Sequence, residues 1–323
     1  MENQKVTGLE VITFGESMVL FSPGDKGPLR HIHNFTKSIA GAESNVAIAL
    51  ARLGHKVGWF SKVGHDEFGR YIQFMVRGEG VDVSRVIEDP EHQTGLLFKE
   101  LFEHVNPNVY YYRKNSAASF MSPADLDKEY IQSAKILHLT GITPAISQSA
   151  RETIFEAIRI AKAAGVKVSF DPNIRLKLWT AEEARKTILE ICKETDILFP
   201  GIDESDLLLG TTDVPEILKA FHGMGIGEIA LKLGKKGCMV SDGTVGQFVP
   251  GYVVDKIEDS VGAGDGFAAG YLSSRLKGCN IQEAGDYANG VGAMATLVRG
   301  DSEGFPTYEQ LLAFTGKIHT VDR

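Results

Sequence analysis

The fold class is decided by residues 135–170, whose sequence is KILHLTGITPAISQSARETIFEAIRIAKAAGVKVSF. The ends of this stretch, 135–140 and 166–170, are short apolar runs of the kind that form buried strands. Between them, residues 147–164 predict a helix. A strand, a helix and a second strand in this order form a βαβ unit, in which the two strands run parallel. The stretch therefore predicts an α/β protein.

The same alternation extends over most of the chain. It predicts further strands at 10–14, 56–61, 196–200, 228–232 and 237–241, and further helices at 43–53, 66–78, 123–134, 181–193, 264–277, 281–298 and 307–315. Strands that alternate with helices of ten or more residues predict a mainly parallel sheet covered on both faces. Ligands of such sheets bind beyond the carboxyl ends of the strands, so we expect the functional site there.

Two β-rich segments, at about 16–37 and 93–113, do not follow this alternation. We expect them to pair into a small separate sheet that acts as a lid. Because no Pro/Gly/Ser-rich linker is present, residues 1–323 are expected to form one domain with an inserted lid. The open edges of such a sheet favour pairing with a second copy, so a homo-oligomer formed through the lid is expected.

The charge and hydropathy patterns exclude several classes of partner. With 34 basic and 42 acidic residues, the chain has a net charge of −8, which argues against a nucleic-acid binder. No run approaches the roughly 20 apolar residues that a membrane span needs, and the first residues do not form a signal peptide. The three cysteines are far apart and have no zinc-ligand spacing. These patterns predict a cytoplasmic protein without a membrane partner.

Residues 259–270, DSVGAGDGFAAG, carry the clearest chemical signal. The small residues Gly262, Ala263 and Gly264 lead into a predicted helix, and the free amides of a helix N-terminus favour phosphate. Asp265 lies at the same end. One reading makes it a general base that takes the proton of a hydroxyl attacking a phosphoryl group, ionised at neutral pH because an ordinary Asp has a pKa of about 3.9. The other reading makes it an acidic residue that only favours the helix dipole.

Three motifs resemble those of the ribokinase-like (PfkB) carbohydrate kinases, and they occur in the order found in that family. DSVGAGDGFAAG is similar to the C-terminal signature, and AGAESNVA at 40–47 followed by ARLG at 51–54 is similar to the N-terminal one. KLGKKG at 232–237 resembles the nucleotide-binding strand and turn. A Walker P-loop is absent from the sequence. The resemblance implies a three-layer α/β/α fold with a mainly parallel central sheet and a small β-sheet lid.

The resemblance also implies roles for individual residues. Asp265 matches the catalytic base, and Gly262, Ala263 and Gly264 match the anion hole for the transferred phosphoryl group. The implied sugar contacts are Gly41, Ala42, Glu43, Ser44 and Asn45, and the implied ATP contacts are Asn173, Lys232, Leu233, Gly234, Lys235, Lys236, Gly237 and Asn289. Of the family's Asn-x-x-Glu motif, Gly201 replaces the Asn and Glu204 remains, which implies Mg²⁺ held by Glu204 through water. Some members need a monovalent cation, and the sequence leaves that question open.

Two segments bear on the substrate. Tyr111 and Arg113 are two residues apart in a predicted strand, so they share a face and could together grip a carboxylate. Arg175 follows the strand 166–170, at the edge where ligands bind. DPNIRLKLW at 171–179 resembles both 2-keto-3-deoxygluconate kinases and fructokinases, whereas YYRKNSAAS at 111–119 is more similar to the former. Asp301 also matches a substrate position in those kinases.

The resemblance therefore implies ATP-dependent phosphorylation of the terminal hydroxyl of 2-dehydro-3-deoxy-D-gluconate, with fructokinase as the alternative. A hypothesis of another class is a non-catalytic sugar or nucleotide sensor, which would be expected to have lost the base or the anion loop. Since both substrates are anions, we expect the acidic residues to lie mainly on the outer helices and not at the mouth of the site.

Overall fold

The computed structural model describes residues 8–102 and 105–318, and its elements follow the predicted alternation. The strands are β1 (Val11–Phe14), β2 (Met18–Pro23), β3 (Phe35–Ala40), β4 (Val57–Phe60), β5 (Lys62–Gly64), β6 (Ile87–Asp89), β7 (Leu96–Phe102), β8 (Val105–Tyr112), β9 (Ile136–Thr140), β10 (Lys167–Asp171), β11 (Ile197–Leu198), β12 (Glu228–Lys232), β13 (Gly237–Ser241) and β14 (Gly246–Pro250). The helices are α1 (Ala42–Arg52), α2 (Glu67–Gly78), α3 (Lys128–Gln132), α4 (Thr143–Ile146), α5 (Gln148–Ala163), α6 (Ala181–Cys192), α7 (Ile202–Leu209), α8 (Val214–Gly223), α9 (Ala263–Leu276), α10 (Ile281–Ala295) and α11 (Tyr308–Phe314).

The central sheet has eight strands in the order β14-β13-β12-β11-β10-β9-β1-β4. The strands from β12 to β4 in this order are parallel, and β13 and β14 are antiparallel additions at one edge. The parallel strands end at one edge of the sheet, so that Asp171, at the end of β10, and Lys232, at the end of β12, lie near each other. Asp171 and Lys232 thus lie at the edge of the sheet where the sequence predicts a ligand site.

Helices cover both faces of the central sheet. Adjacent residues of β1 belong to different apolar cores. Val11 packs into the core that contains α1, α9 and α10. Ile12 packs into the core that contains α5 and α6. Neighbouring residues of a strand point to opposite faces, so two cores on one strand require a layer on each side. This confirms the predicted three-layer α/β/α architecture.

A second sheet of four strands, which we call the lid sheet, has the order β3-β2-β7-β8. Its strands lie at 18–23, 35–40, 96–102 and 105–112, mostly within the two segments that do not follow the main alternation. β2 pairs antiparallel with β3 and parallel with β7, and β7 pairs antiparallel with β8. Residues 103 and 104, between β7 and β8, lie outside the described residues. β3 and β8 form the two edges of the lid sheet.

Several predicted boundaries are corrected. The predicted helix 123–134 is a 3₁₀ turn at Pro123–Asp125 followed by the short helix α3, because Leu126 is extended and the Asp127 side chain caps a new start by accepting the amide of Tyr130. The predicted helix 281–298 ends at Ala295, and the predicted strand 196–200 is reduced to β11. The prediction lacked β5, β6, β14, α4, α7 and α8. Among the described residues, no helix is long and apolar enough to cross a membrane.

Candidate active site

A cavity of about 760 Å³ lies between the carboxyl ends of the central strands and the lid sheet. The central sheet contributes residues that follow its strands, such as Asp171 after β10 and Gly201 after β11, and the lid sheet contributes Met18, Leu97 and Tyr111. The turn before α9 and residue Asp301 complete the wall.

The turn into α9 has the geometry of an anion-binding loop. Gly262 has a φ of +79°, in the left-handed region, and a Cβ atom there would lie 2.0 Å from the backbone oxygen of Asp301. Only glycine fits this position without strain or a clash. Gly262 and Gly264 line the cavity, and Ala263 between them is the first residue of α9. The positive dipole end of a 14-residue helix therefore faces the cavity. The Ala263 amide also donates to the backbone oxygen of Ser260 at 3.4 Å.

Asp265 lies in the first turn of α9, lines the cavity and is 8% exposed. Its Oδ2 accepts a hydrogen bond of 2.8 Å from Nδ2 of Asn45. Burial, with the nearby carboxylates of Asp171 and Asp301, raises the pKa of Asp265 to about 8, although Asn45 and Arg175 lower it. The expectation of an ionised Asp265 at neutral pH is therefore wrong for the protein without ligands, because the sequence does not reveal this burial.

Of the five residues predicted to contact the sugar, at the start of α1, three line the cavity and two do not. Gly41, Ala42 and Asn45 line the cavity. Asn45 follows Ala42 by three residues, so the two share a helical face. Within the described residues, the buried Oδ1 of Asn45 has no partner, and it is free to accept a hydrogen bond from a ligand.

Glu43 and Ser44 are not among the residues that line the cavity, and their contacts with a sugar stay a prediction. The buried carboxylate of Glu43 accepts hydrogen bonds from the hydroxyls of Thr140 (2.7 Å) and Thr143 (2.6 Å), and burial raises its pKa. The Ser44 hydroxyl donates to the backbone oxygen of Gly41 at 3.0 Å. These two side chains tie α1 to β9, to α4 and to the preceding loop, so their role is to hold the segment in place.

Tyr111, Arg113, Arg175 and Asp301 all line the cavity. The Arg113 guanidinium forms an ion pair with Glu16, and it lies 5.8 Å from the centre of the Tyr111 ring. Glu16 is 2% exposed and also accepts the hydroxyl hydrogen of Ser116. Sequence reasoning gave no role to Glu16, although its position two residues after β1 places it at the ligand-binding edge.

The nucleotide segment contributes only its first part to the cavity. Asn173, Lys232, Leu233 and Gly234 are lining residues. Lys235 and Lys236 are exposed on a 3₁₀ turn, Gly237 begins β13, and Asn289 donates hydrogen bonds of 3.1 Å to the backbone oxygens of Val249 and Pro250. These last four residues lie outside the cavity lining, and their nucleotide contacts stay a prediction.

Lys232 is held by a residue to which sequence reasoning gave no role. Its Nζ lies 2.8 Å from both carboxylate oxygens of Asp171 and 3.9 Å from Oε2 of Glu204. Although burial lowers the pKa of Lys232, these carboxylates raise it above its ordinary value, so the side chain is a fixed cation. The signal for Asp171 was available, because it directly follows a predicted strand at the ligand-binding edge.

Glu204 lines the cavity at the start of α7. Its Oε2 accepts the amide of Gly201 at 2.7 Å, and its Oε1 accepts the amide of Ile174 at 3.0 Å. The described residues contain no group of three or more His, Cys, Asp or Glu side chains placed to enclose a metal ion. A single oriented carboxylate fits Mg²⁺, which keeps several waters and takes its other ligands from phosphates.

The balance of charge in the lining differs from expectation. Six carboxylates line the cavity, against the three cations Arg113, Arg175 and Lys232; the acidic residues are Glu16, Asp171, Asp203, Glu204, Asp265 and Asp301. The expectation that acidic residues avoid the site is therefore wrong. Glu16 and Asp171 are paired with Arg113 and Lys232, and Asp265 holds a proton at neutral pH, so much of the formal negative charge is neutralised.

Several known proteins are similar to this chain over nearly its whole length. A 2-dehydro-3-deoxygluconokinase of Bacillus subtilis is 42% identical over 97% of both chains, and one of Thermoproteus tenax is 35% identical over 93% of this chain and 92% of its own. The crystal structure of a fructokinase from Vibrio cholerae, with fructose, ADP and calcium bound, has a TM-score of 0.84 and 32% identity, covering 95% of this chain and 99% of that one. Residues 9–308 match the profile of the pfkB family carbohydrate kinases. The chain belongs to this family.

Proposed function

We propose that the protein is an ATP-dependent kinase that phosphorylates the terminal hydroxyl of 2-dehydro-3-deoxy-D-gluconate. The observation that carries this substrate is that Tyr111, Arg113 and Arg175 line the same cavity as Asp265 and the anion-binding turn. Two guanidinium groups suit a substrate with a carboxylate, and fructose has none. The similarity to the Bacillus subtilis and Thermoproteus tenax kinases supports the same choice.

Phosphoryl transfer needs a base, a cradle for charge and a water-free site. Asp265, once deprotonated, accepts the proton of the sugar hydroxyl, and the Asn45 amide orients its carboxylate. The amides of Gly262, Ala263 and Gly264 stabilise charge on the transferred phosphoryl group. Mg²⁺, held through Glu204, supplies further charge neutralisation on the phosphates when it is bound. The lid sheet closes over the sugar and excludes water.

The electrostatics of Asp265 fit a base that acts only in the loaded site. Its pKa of about 8, raised mainly by burial, keeps the proton on the carboxyl group at neutral pH. The Arg175 guanidinium lowers that pKa, and bound cations would act in the same direction. A non-catalytic sensor would not require an intact base and an intact anion-binding turn in one cavity, so the kinase is the better account.

Arg113 provides the test that separates a carboxylate substrate from a neutral sugar. Replacing Arg113 by Ala should lower kcat/KM for 2-dehydro-3-deoxy-D-gluconate by about 10- to 100-fold, the value of one or two hydrogen bonds to a charged group. The rate on fructose, measured in the same coupled ADP-release assay, should change far less.

The matched control is Lys114→Ala, because Lys114 is the next residue, is exposed and does not line this cavity. That variant should behave like the wild type on both substrates. Equal losses on both substrates in Arg113→Ala would mean that Arg113 supports the fold through Glu16 and does not read a carboxylate.

A further inference from the structure

Lys99 is a buried lysine without a part in the mechanism above. It lies on β7 of the lid sheet, is 6% exposed, and is not among the residues that line the cavity. Its Nζ is 3.2 Å from Oδ2 of Asp259 and 3.2 Å from Oδ1 of Asp301. Lysine is almost never buried unless it is paired, because an ammonium ion loses its hydration there. The two carboxylates are therefore the reason that the side chain tolerates this position.

Asp259 and Asp301 both contact the anion-binding turn. Oδ1 of Asp259 accepts the amide of Val261 at 3.1 Å and so shapes the turn that leads into Gly262. Asp301 packs its backbone oxygen against Gly262, where a Cβ atom would come within 2.0 Å, and its carboxylate lines the cavity. One ammonium group on the lid sheet thus contacts the two segments that flank the turn.

The two carboxylates need a positive charge between them. Burial raises the pKa of Asp301 to about 6, the neighbouring Asp259 raises it as well, and Lys99 lowers it. Burial lowers the pKa of Lys99, but the two carboxylates more than offset this and hold it above its ordinary value. Without the ammonium group, two nearby carboxylates would face each other across a largely dry space and repel.

We propose that Lys99 is a positioning residue for phosphoryl transfer: its ammonium group fixes the anion-binding turn to the lid sheet through Asp259 and Asp301. Because Lys99 joins them, the lid sheet is closed only when the turn is correctly formed. Water is then excluded from the site at the time the turn can accept the phosphoryl group. A turn misplaced by even about 1 Å costs a large part of the rate, because the amides must meet the charge as it develops. The proposal rests on the proposed kinase activity.

Replacing Lys99 by Ala tests the proposal. We expect kcat on 2-dehydro-3-deoxy-D-gluconate to fall at least tenfold, with the KM for the sugar changed less than threefold. Lys99→Arg, which keeps the charge, should recover most of the rate. Added methylammonium should also stimulate Lys99→Ala in a saturable way, whereas the bulkier tetramethylammonium at equal ionic strength should not. Should Lys99→Ala fail to fold, Lys99→Gln takes its place with the same expected loss.

The matched control is Lys37→Ala. Lys37 lies on β3 of the same sheet, but it is exposed, and its ammonium group lies over the ring of Tyr71. It should leave kcat unchanged. A rate loss in the Lys99 variant that neither Arg nor methylammonium relieves would show a merely structural role and overturn the proposal.

Hydrogen exchange separates this proposal from the proposed substrate. The amides of residues 260–264 should exchange faster in Lys99→Ala than in the wild type, while those of the central sheet stay equally protected. This readout needs no substrate. A wild-type protein inactive on the sugar acid would refute the proposed function alone, and unchanged exchange in the turn would refute the role of Lys99 alone.

Discussion

Replacing Asp265 by Asn should remove most of the turnover and at the same time make the folded protein more stable. Asn cannot accept the proton of the sugar hydroxyl, and general-base catalysis contributes about 10²- to 10⁴-fold to a rate. The stability gain follows from burial. Asp265 is 8% exposed, and its pKa is raised from 3.8 to about 8 in the folded protein.

The sign and the size of this gain follow from proton linkage. Between pH 3.8 and about 8 the folded protein holds a proton on Asp265 that the unfolded chain has released, so the free energy of unfolding falls as pH rises through this window. Each pH unit inside the window costs about 1.4 kcal/mol, which sums to roughly 4 kcal/mol at pH 7 as an upper bound. An uncharged Asn of nearly the same size avoids this cost.

The assay is urea unfolding of the wild type and Asp265→Asn at pH 5 and at pH 8, beside turnover at pH 8. The stability advantage of the variant should be about threefold larger at pH 8 than at pH 5. Asp206→Asn, at an exposed position on α7, is the control and should show no such pH dependence. A variant less stable than the wild type at pH 8, or one with near-normal turnover, would refute the reasoning about Asp265.

Three further predictions follow from the same geometry. The kcat/KM of the wild type should fall as pH decreases below about 8, because the free enzyme must lose the proton of Asp265. An ordinary Asp would place this fall near pH 4, and that result would contradict the prediction. Glu204→Gln should raise the Mg²⁺ concentration needed for half-maximal rate by about tenfold, with little change in the KM for the sugar, as measured by Mg²⁺ titration. The wild type should associate through the edges of the lid sheet. Tyr112 on β8 is 66% exposed, and Tyr112→Lys should weaken this association in sedimentation experiments. A monomeric wild type would contradict the prediction.

Local sequence patterns were sufficient for the architecture. The strand and helix periods of residues 135–170 predict parallel strands, and the run of small residues before α9 predicts an anion-binding turn, because each depends on neighbours in the chain. The exact ends of elements depend on capping contacts. The break in the predicted helix 123–134, where Asp127 caps a new start, is of that kind.

The rest of the site depends on contacts between distant segments. Lys99 meets partners 160 and 202 residues away, and Glu43 meets Thr140 and Thr143 from 97 and 100 residues away. No spacing rule reports such pairs. The raised pKa of Asp265 has the same origin, since it follows from burial next to carboxylates of other segments. The sequence therefore singled out Asp265 as the candidate base but did not reveal its raised pKa.

Substrate selectivity tests most directly whether the cavity selects a sugar acid. Initial rates of ADP release with ATP and Mg²⁺ should be measured for 2-dehydro-3-deoxy-D-gluconate, D-fructose, D-ribose and D-gluconate, and kcat/KM compared. A site built to pair with a carboxylate and hydrogen-bond its substrate should favour the keto-deoxy acid over fructose by at least about 100-fold. A kcat/KM for fructose equal to or above that for 2-dehydro-3-deoxy-D-gluconate would contradict the assignment.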